Sequence, residues 1–326
     1  MKIILDAMGG DYAPHEIIEG AKLAKEELNI DIVLVGKKSE IEKYLIQEEE
    51  KKFEIIHAEE VVTMEDKPVM AFRRKKDSSI NKGITLLKEG YGDAFVSAGN
   101  TGAILTSSYF ILGKIKDFIR PTQSAIIPTL KGFLILVDAG ANVDSEPQHL
   151  LHWAQMGKIF SKLITGKKEI KIGLLNIGEE EEKGNNFTKE VYKLLKDHFS
   201  DEFVGNMEGK DFLYGNFDVC VTDGFVGNVA LKTLEGEASL FLSLIRNIFS
   251  KNLITKLSYL LVKNEFKNNF DKFNYEKYGG SPILGVNGTV LVCHGRSKRV
   301  AIKNAIKMAK NLVELRLVEK LKSEFN

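Results

Sequence analysis

The sequence predicts an α/β fold built on a mostly parallel, doubly wound sheet. Short apolar runs recur from the N-terminus onward and are nearly continuous rather than alternating, the pattern of strands covered on both faces. Helical stretches separate most of them, and repeated strand–helix alternation sets consecutive strands parallel. Several runs pass straight into small, polar, glycine-containing loops. Open α/β sheets hold their ligand crevice at such strand ends.

On that pattern, residues 2–5, 32–35, 53–56, 94–96, 133–137, 170–175 and 219–221 read as strands. Residues 16–28, 101–112, 150–164 and 186–196 read as intervening helices. Residues 246–277 depart from the alternation: they are helical in composition, poor in glycine, and carry seven basic against three acidic side chains. A strand at 290–293 and a helix from about 297 to 322 close the chain. We read residues 1–326 as one domain with a helical insertion at 246–277.

A chain of 326 residues buries a sizeable core. Its 44% hydrophobic and 28% charged residues are those of a globular protein. Lys and Arg number 46 against 45 Asp and Glu, so there is no whole-protein footprint for nucleic acid. Cys220 and Cys293 each sit in an apolar run with no Cys-x-x-Cys pair, as reduced core cysteines of a cytoplasmic protein do. No secretory signal and no run of about 18 apolar residues is visible.

Five loops could carry chemistry. They are Asp6-Ala7-Met8-Gly9-Gly10-Asp11, Ser97-Ala98-Gly99-Asn100-Thr101-Gly102, Asp138-Ala139-Gly140-Ala141-Asn142, Asn176-Ile177-Gly178-Glu179-Glu180 and Asp223-Gly224-Phe225-Val226-Gly227-Asn228. Glycine lets the backbone approach an anion, and a following helix points free N–H groups at it. Asn100, Thr101 and Asn228 add side-chain donors. One such loop is an ordinary turn; five of the same character point to a phosphate-like ligand.

Named motifs are mostly absent. There is no Gly-x-Gly-x-x-Gly, no Walker loop, no Gly-x-Ser-x-Gly elbow and no zinc-binding helix, since Glu19 follows His15-Glu16 where a second His is needed. His149 and His152 read as a partly exposed pair. His294, at a strand end, reads as a ligand contact or as a structural hydrogen-bonding group. The run Arg73-Arg74-Lys75-Lys76, before a helix capped by Asp77 or Ser78, reads as a solvated helix start or as an anion clamp. Lys183 lies just past the loop at 176–180, within reach of the crevice.

The order of these motifs is informative in itself. With Arg120-Pro121, Lys183-Gly184, Gly205-Asn206-Met207-Glu208-Gly209, Tyr278-Gly279-Gly280 and His294-Gly295, the set closely resembles the acyl-carrier-protein:phosphate acyltransferases of bacterial phospholipid synthesis. The match covers nearly the whole chain. Departures at Asp138-Ala139, Arg120-Pro121-Thr122 and Gly280-Ser281-Pro282 stand beside the motifs. The resemblance implies a three-layer α/β/α fold similar to phosphotransacetylases and isocitrate dehydrogenase-like enzymes. It implies a homodimer with no metal or cofactor, acyl carrier protein and inorganic phosphate as substrates, and a peripheral membrane encounter. There the product passes to a membrane glycerol-3-phosphate acyltransferase.

The chemistry fits the motifs that are missing. Phosphate already offers a nucleophilic oxygen near neutral pH, so no Ser–His or Cys–His pair is required. The protein must hold phosphate beside the thioester carbonyl and stabilise the oxyanion. Lys183 and Asn228 are the expected catalytic pair, at positions matching motifs tied to activity in the family. Asp6, Gly9, Gly10, Asn100, Thr101, Gly102, Asn142, Asn176, Gly227 and His294 are the expected substrate-binding set. A short-chain acyl-coenzyme A phosphotransacetylase, a dehydrogenase of related fold and a non-enzymatic carrier-protein or membrane adaptor are the rivals. Within 246–277, Leu253, Ile254, Leu257, Leu260 and Leu261 flanked by lysines suit a membrane surface. Dimer or core packing and carrier-protein docking are the alternatives there.

Overall fold

The computed structural model describes residues 1–45, 52–270 and 279–324. Tyr278 and the end of the 246–277 segment fall outside them. The strands are β1 (Lys2–Asp6), β2 (Asp31–Gly36), β3 (Glu54–His57), β4 (Ala94–Ser97), β5 (Thr122–Thr129), β6 (Gly132–Val137), β7 (Ile172–Leu175), β8 (Phe203–Met207), β9 (Val219–Val221), β10 (Ser281–Leu284) and β11 (Thr289–Val292). They form one sheet in the order β3-β2-β1-β4-β11-β10-β5-β6-β9-β7-β8. The helices are α1 (His15–Leu28), α2 (Lys38–Glu42), α3 (Pro68–Arg74), α4 (Ser79–Lys88), α5 (Thr101–Ser107), α6 (Pro147–Thr165), α7 (Asn186–His198), α8 (Gly224–Ser250), α9 (Leu253–Phe270), α10 (Arg299–Glu314) and α11 (Leu317–Ser323).

Helices cover both faces of the sheet. Successive residues of a strand point to opposite sides, so Ile3 and Leu5 join α1, α6 and α10 in one core while Ile4 joins α4 and α5 in another. A third cluster packs Leu231 and Leu234 of α8 on β5 and β6. The result is the three-layer α/β/α architecture.

The sheet is mixed, however. Strands β3, β2, β1, β4 and β11 are mutually parallel, and so are β6, β9, β7 and β8. Between them β10 and the β5–β6 hairpin are antiparallel, so the two halves point in opposite directions. The expected single edge of loops is therefore corrected to two edges. The register brings these edges together. Ser97 is level with Val292 and Val292 with Ser281, while Ile283 pairs with Gln123 and Ser124 with Val137. The carboxyl end of β6 thus stands within about one residue, roughly 3.3 Å, of the level of the β4 and β11 ends. The halves are staggered, and their strand-end loops face each other across β10 and β5.

Two helical expectations change. The closing helix divides where Arg316 takes a left-handed conformation, φ 56°. The protrusion starts inside α8, a 27-residue helix that reverses at residues 251–252 into α9, rather than at residue 246.

Candidate active site

In the first half of the sheet, β1, β4 and β11 are neighbours, and their loops are tied together. Asp6 is fully buried. Its Oδ1 accepts the Met8 N–H at 3.0 Å and its Oδ2 accepts the Ser97 hydroxyl at 2.6 Å. Burial holds this carboxyl above its ordinary range, against the pull of hydrogen bonds from Ser97 and Ser79. A Cβ on Gly9 would stand 2.5 Å from Asp6 Oδ2 and 2.7 Å from the Gly99 nitrogen, so only glycine fits between these loops. Gly10, at φ 106°, turns the chain so that the Asp11 N–H reaches the Gly295 carbonyl at 2.8 Å.

Asp6 is expected on the phosphate side of the crevice. Its carboxylate has no exposed surface, and it braces the loop. Asn100 is also a brace. Its Oδ1 caps α5 by accepting the Ala103 N–H at 3.0 Å, and its Nδ2 lies 3.1–3.2 Å from the carbonyls of Thr63, Met64 and Asp66. Thr101 and Gly102 follow it half-exposed, and the Thr101 hydroxyl has no partner among the described residues. His294 accepts the Arg296 N–H on Nδ1 at 3.1 Å, and its Nε2 lies 3.8 Å from Glu235. Burial lowers its pKa, with Lys232 adding to the effect, which favours the neutral ring with its proton on Nε2.

In the second half, β6, β9 and β7 are neighbours. The Asp138 carboxylate accepts the N–H groups of Gly140, Ala141 and Asn142, and shapes the loop after β6. Asn142 Nδ2 donates to the Pro121 carbonyl at 2.9 Å and to Asp138 at 2.7 Å. Asn176 Nδ2 donates to the Lys183 carbonyl at 3.2 Å and to Asn206 at 3.0 Å, while its Oδ1 accepts the Ile177 N–H. These two asparagines, expected as ligand donors, are likewise spent on positioning backbone.

The expected catalytic pair, Lys183 and Asn228, differs from them. Asp223 caps α8 by accepting the N–H groups of Phe225 and Val226. A Cβ on Gly227 would stand 1.9 Å from the Asp138 carbonyl, so α8 starts directly against the 138–142 loop. Asn228 then lies over Gly140, exposed, with its amide unpartnered among the described residues. Lys183 packs its stem on Gly178 and is exposed, with no ion pair among the described residues. Its acidic neighbours Glu181 and Glu179 pair with Lys196 and Lys210 instead.

Two cavities border this junction. The larger, about 550 Å³, lies between β5, the face of α8 carrying Lys232, Glu235 and Ser239, and the loops of Gly280, His294 and Arg296. Asn228, Lys232, Glu235 and Ser239 are spaced i, i+4, i+7, i+11 and share one helix face, so Asn228 stands at the foot of this wall. The smaller, about 380 Å³, is lined by Leu105, Tyr109, Phe110, Arg120, Asn142 and His149. Lys183 lines neither; the strand before it, β7, is separated from β6 by β9.

Sequence reasoning missed Arg296 and Lys232. Arg296 was in view beside His294, and its guanidinium is exposed and unpartnered among the described residues. Ser78 caps α4 as expected, and the basic run before it also closes α3, whose last turn carries Arg73 and Arg74. His149 is buried in a capping box with Glu146, not exposed.

Residues 1–320 match the model of the fatty acid synthesis protein family. A phosphate acyltransferase of Thermoanaerobacterium thermosaccharolyticum is 48% identical over 324 residues, 99% of this chain and 96% of that protein. One from Dictyoglomus turgidum is 49% identical over 329 residues, covering 100% and 98%. Among solved structures, a phosphotransacetylase from Streptococcus pyogenes aligns with TM-score 0.63 at 16% identity over 98% of this chain and 94% of its own. A branched-chain phosphotransacylase from Enterococcus faecalis aligns with TM-score 0.63 at 16% identity, covering 96% and 99%. These two establish likeness of fold.

Proposed function

The chain belongs to the fatty acid synthesis protein family and, within it, to the phosphate acyltransferases, and on that premise we propose that it moves a long-chain fatty acyl group from acyl carrier protein to inorganic phosphate. A phosphate oxygen attacks the thioester carbonyl carbon, and the oxyanion that forms collapses with loss of the carrier thiolate. The carbon–sulfur bond breaks, a carbon–oxygen–phosphorus link forms, and the thiolate takes up a proton.

One observation carries the division of roles. Asp6, Asn100, Asn142 and Asn176 have side chains hydrogen-bonded within the protein, whereas the side chains of Asn228, Lys183 and Arg296 are unpartnered among the described residues. Asn228 would donate to the oxyanion or to phosphate, and Lys183 and Arg296 would counter phosphate charge. Gly9, Gly10, Gly102 and Gly227 supply close backbone approach, and Thr101 and His294 border the phosphate. The test is incubation with phosphate and palmitoyl acyl carrier protein. Equal release of carrier thiol and acyl phosphate is expected; hydrolysis to free fatty acid, or no reaction, would remove the reading.

The same reading extends to assembly. Val226, Val229, Leu240 and Leu244 of α8 are exposed apolar residues, suited to a homodimer. No helix of the described residues is long and apolar enough to cross a membrane. Leu253, Ile254, Leu257, Leu260 and Leu261 of α9 are all exposed, which suits peripheral contact with a cytoplasmic membrane face. There a membrane glycerol-3-phosphate acyltransferase would receive the product.

A further inference from the structure

A third cavity, about 290 Å³, runs along α8 and is almost wholly apolar. Its floor is residues 126–128 of β5 with Leu213, and its wall is Leu231, Leu234, Ala238, Phe241 and Leu242 of α8. Glu235 and Glu237 are its only charged lining residues. The wall residues are spaced i, i+3, i+7, i+10, i+11 and make one continuous helical stripe. Ile126, Leu231 and Glu235 line both this groove and the large cleft, so the two adjoin.

We infer that this groove holds the hydrocarbon chain of the acyl substrate, with the carbonyl end at Asn228 and the methyl end toward Phe241 and Leu242. The inference rests on the acyl-transfer reading above and adds to it the place where the chain is bound. Asn228 and Leu231 are i, i+3 neighbours, so a chain that starts at Asn228 enters the groove within one turn. From Asn228 to Leu242 the helix rises about 21 Å at about 1.5 Å per residue, comparable to an extended long fatty chain. An apolar lining with charge only at residues 235 and 237 suits a ligand without polar groups along its length. The far end of the groove runs on into the exposed apolar hairpin of α8 and α9.

Ala238 is the narrowest residue of the wall, and enlarging it plugs the groove midway. Turnover is measured for Ala238→Leu and Ala238→Trp with palmitoyl and butyryl carrier protein, without lipid. The palmitoyl-to-butyryl ratio of kcat/KM is expected to fall in graded order, by about tenfold or more for Ala238→Trp. An unchanged ratio, or equal loss with both donors, would overturn the assignment. Binding of free palmitate to wild type and to Ala238→Trp is measured alongside by calorimetry. If wild type turns over no donor but binds palmitate and Ala238→Trp does not, the groove stands and the acyl-transfer reading falls. Equal binding by both removes the groove.

Discussion

Asn100 and Asn228 make opposite predictions, because one amide is spent and the other is free. Asn100→Asp keeps the cap oxygen but sets a carboxylate against the carbonyls of Thr63, Met64 and Asp66. A loss of about 3 kcal/mol in unfolding free energy is expected, from broken hydrogen bonds and buried repulsion. Unchanged denaturant stability with a raised KM for phosphate would show that Asn100 binds the substrate directly. Asn228→Ala and Lys183→Ala lose no described hydrogen bond or ion pair, so both should unfold like wild type. Each should lower kcat by roughly a hundredfold, the usual cost of one oxyanion-type donor. Near-normal turnover in both folded variants would end their assignment. The sequence marked the strand-end loops, since glycine and polar residues after apolar runs mark strand ends. It could not separate braces from donors. Whether an asparagine is spent depends on groups distant in sequence: Asn100 on residues 63–66, Asn142 on Pro121, Asn176 on Asn206.

Helices α1 and α10 are joined by ion pairs at both ends of α1: Glu27 pairs with Lys303, and Glu16 accepts from the backbone N–H, Nε and Nη2 of Arg299. The side-chain bond from Arg299 lowers the Glu16 pKa from 4.5 to about 2, with burial opposing. A carboxyl depressed in the folded state stabilises it above its unfolded pKa, and that contribution fades as pH falls toward the folded value. Glu16→Gln should therefore cost about 1–2 kcal/mol at pH 7, modest because Arg299 is partly solvated. The difference from wild type should shrink between pH 4.5 and about 2. Urea titrations at pH 7 and pH 3 decide it; an equal gap at both values would show that the ion pair contributes nothing. At this scale most of the fold was legible. Strands β1, β2 and β6 are continuous apolar runs, and the strands that escaped notice break that rule. Strand β5 reads Thr-Gln-Ser-Ala-Ile-Ile-Pro-Thr, β8 carries a glycine and an asparagine, and β10 opens on Ser-Pro. Two of these, β5 and β10, are the antiparallel strands that reverse the sheet, and a pattern of buried parallel runs carries no sign of reversal.

At the scale of the whole molecule, the cleft and the exposed apolar tip are lined by different residues. The cleft forms where the opposed halves of the sheet meet, while α8 leaves that junction and carries α9 outward from the sheet. Within α9 Leu257 is 63% and Leu261 87% exposed, so neither is core in the single chain. Lys251, Lys256 and Lys263 are exposed beside them, and lysines flanking exposed leucines add attraction for anionic lipid to the gain from burying apolar area. Charge placed on this face should oppose insertion without touching the cleft, whose lining stops at residue 239 of α8. We therefore expect Leu257→Glu with Leu261→Glu to abolish co-sedimentation with anionic liposomes. Turnover on soluble acyl carrier protein should stay within about twofold, as exposed surface substitutions cost little. Two readouts separate this from packing between copies of the chain. If the double variant keeps its sedimentation mass and melting temperature while losing liposomes, the leucines meet lipid. If it keeps liposome binding, or dissociates or unfolds, those leucines serve assembly or stability and the membrane reading of α9 fails.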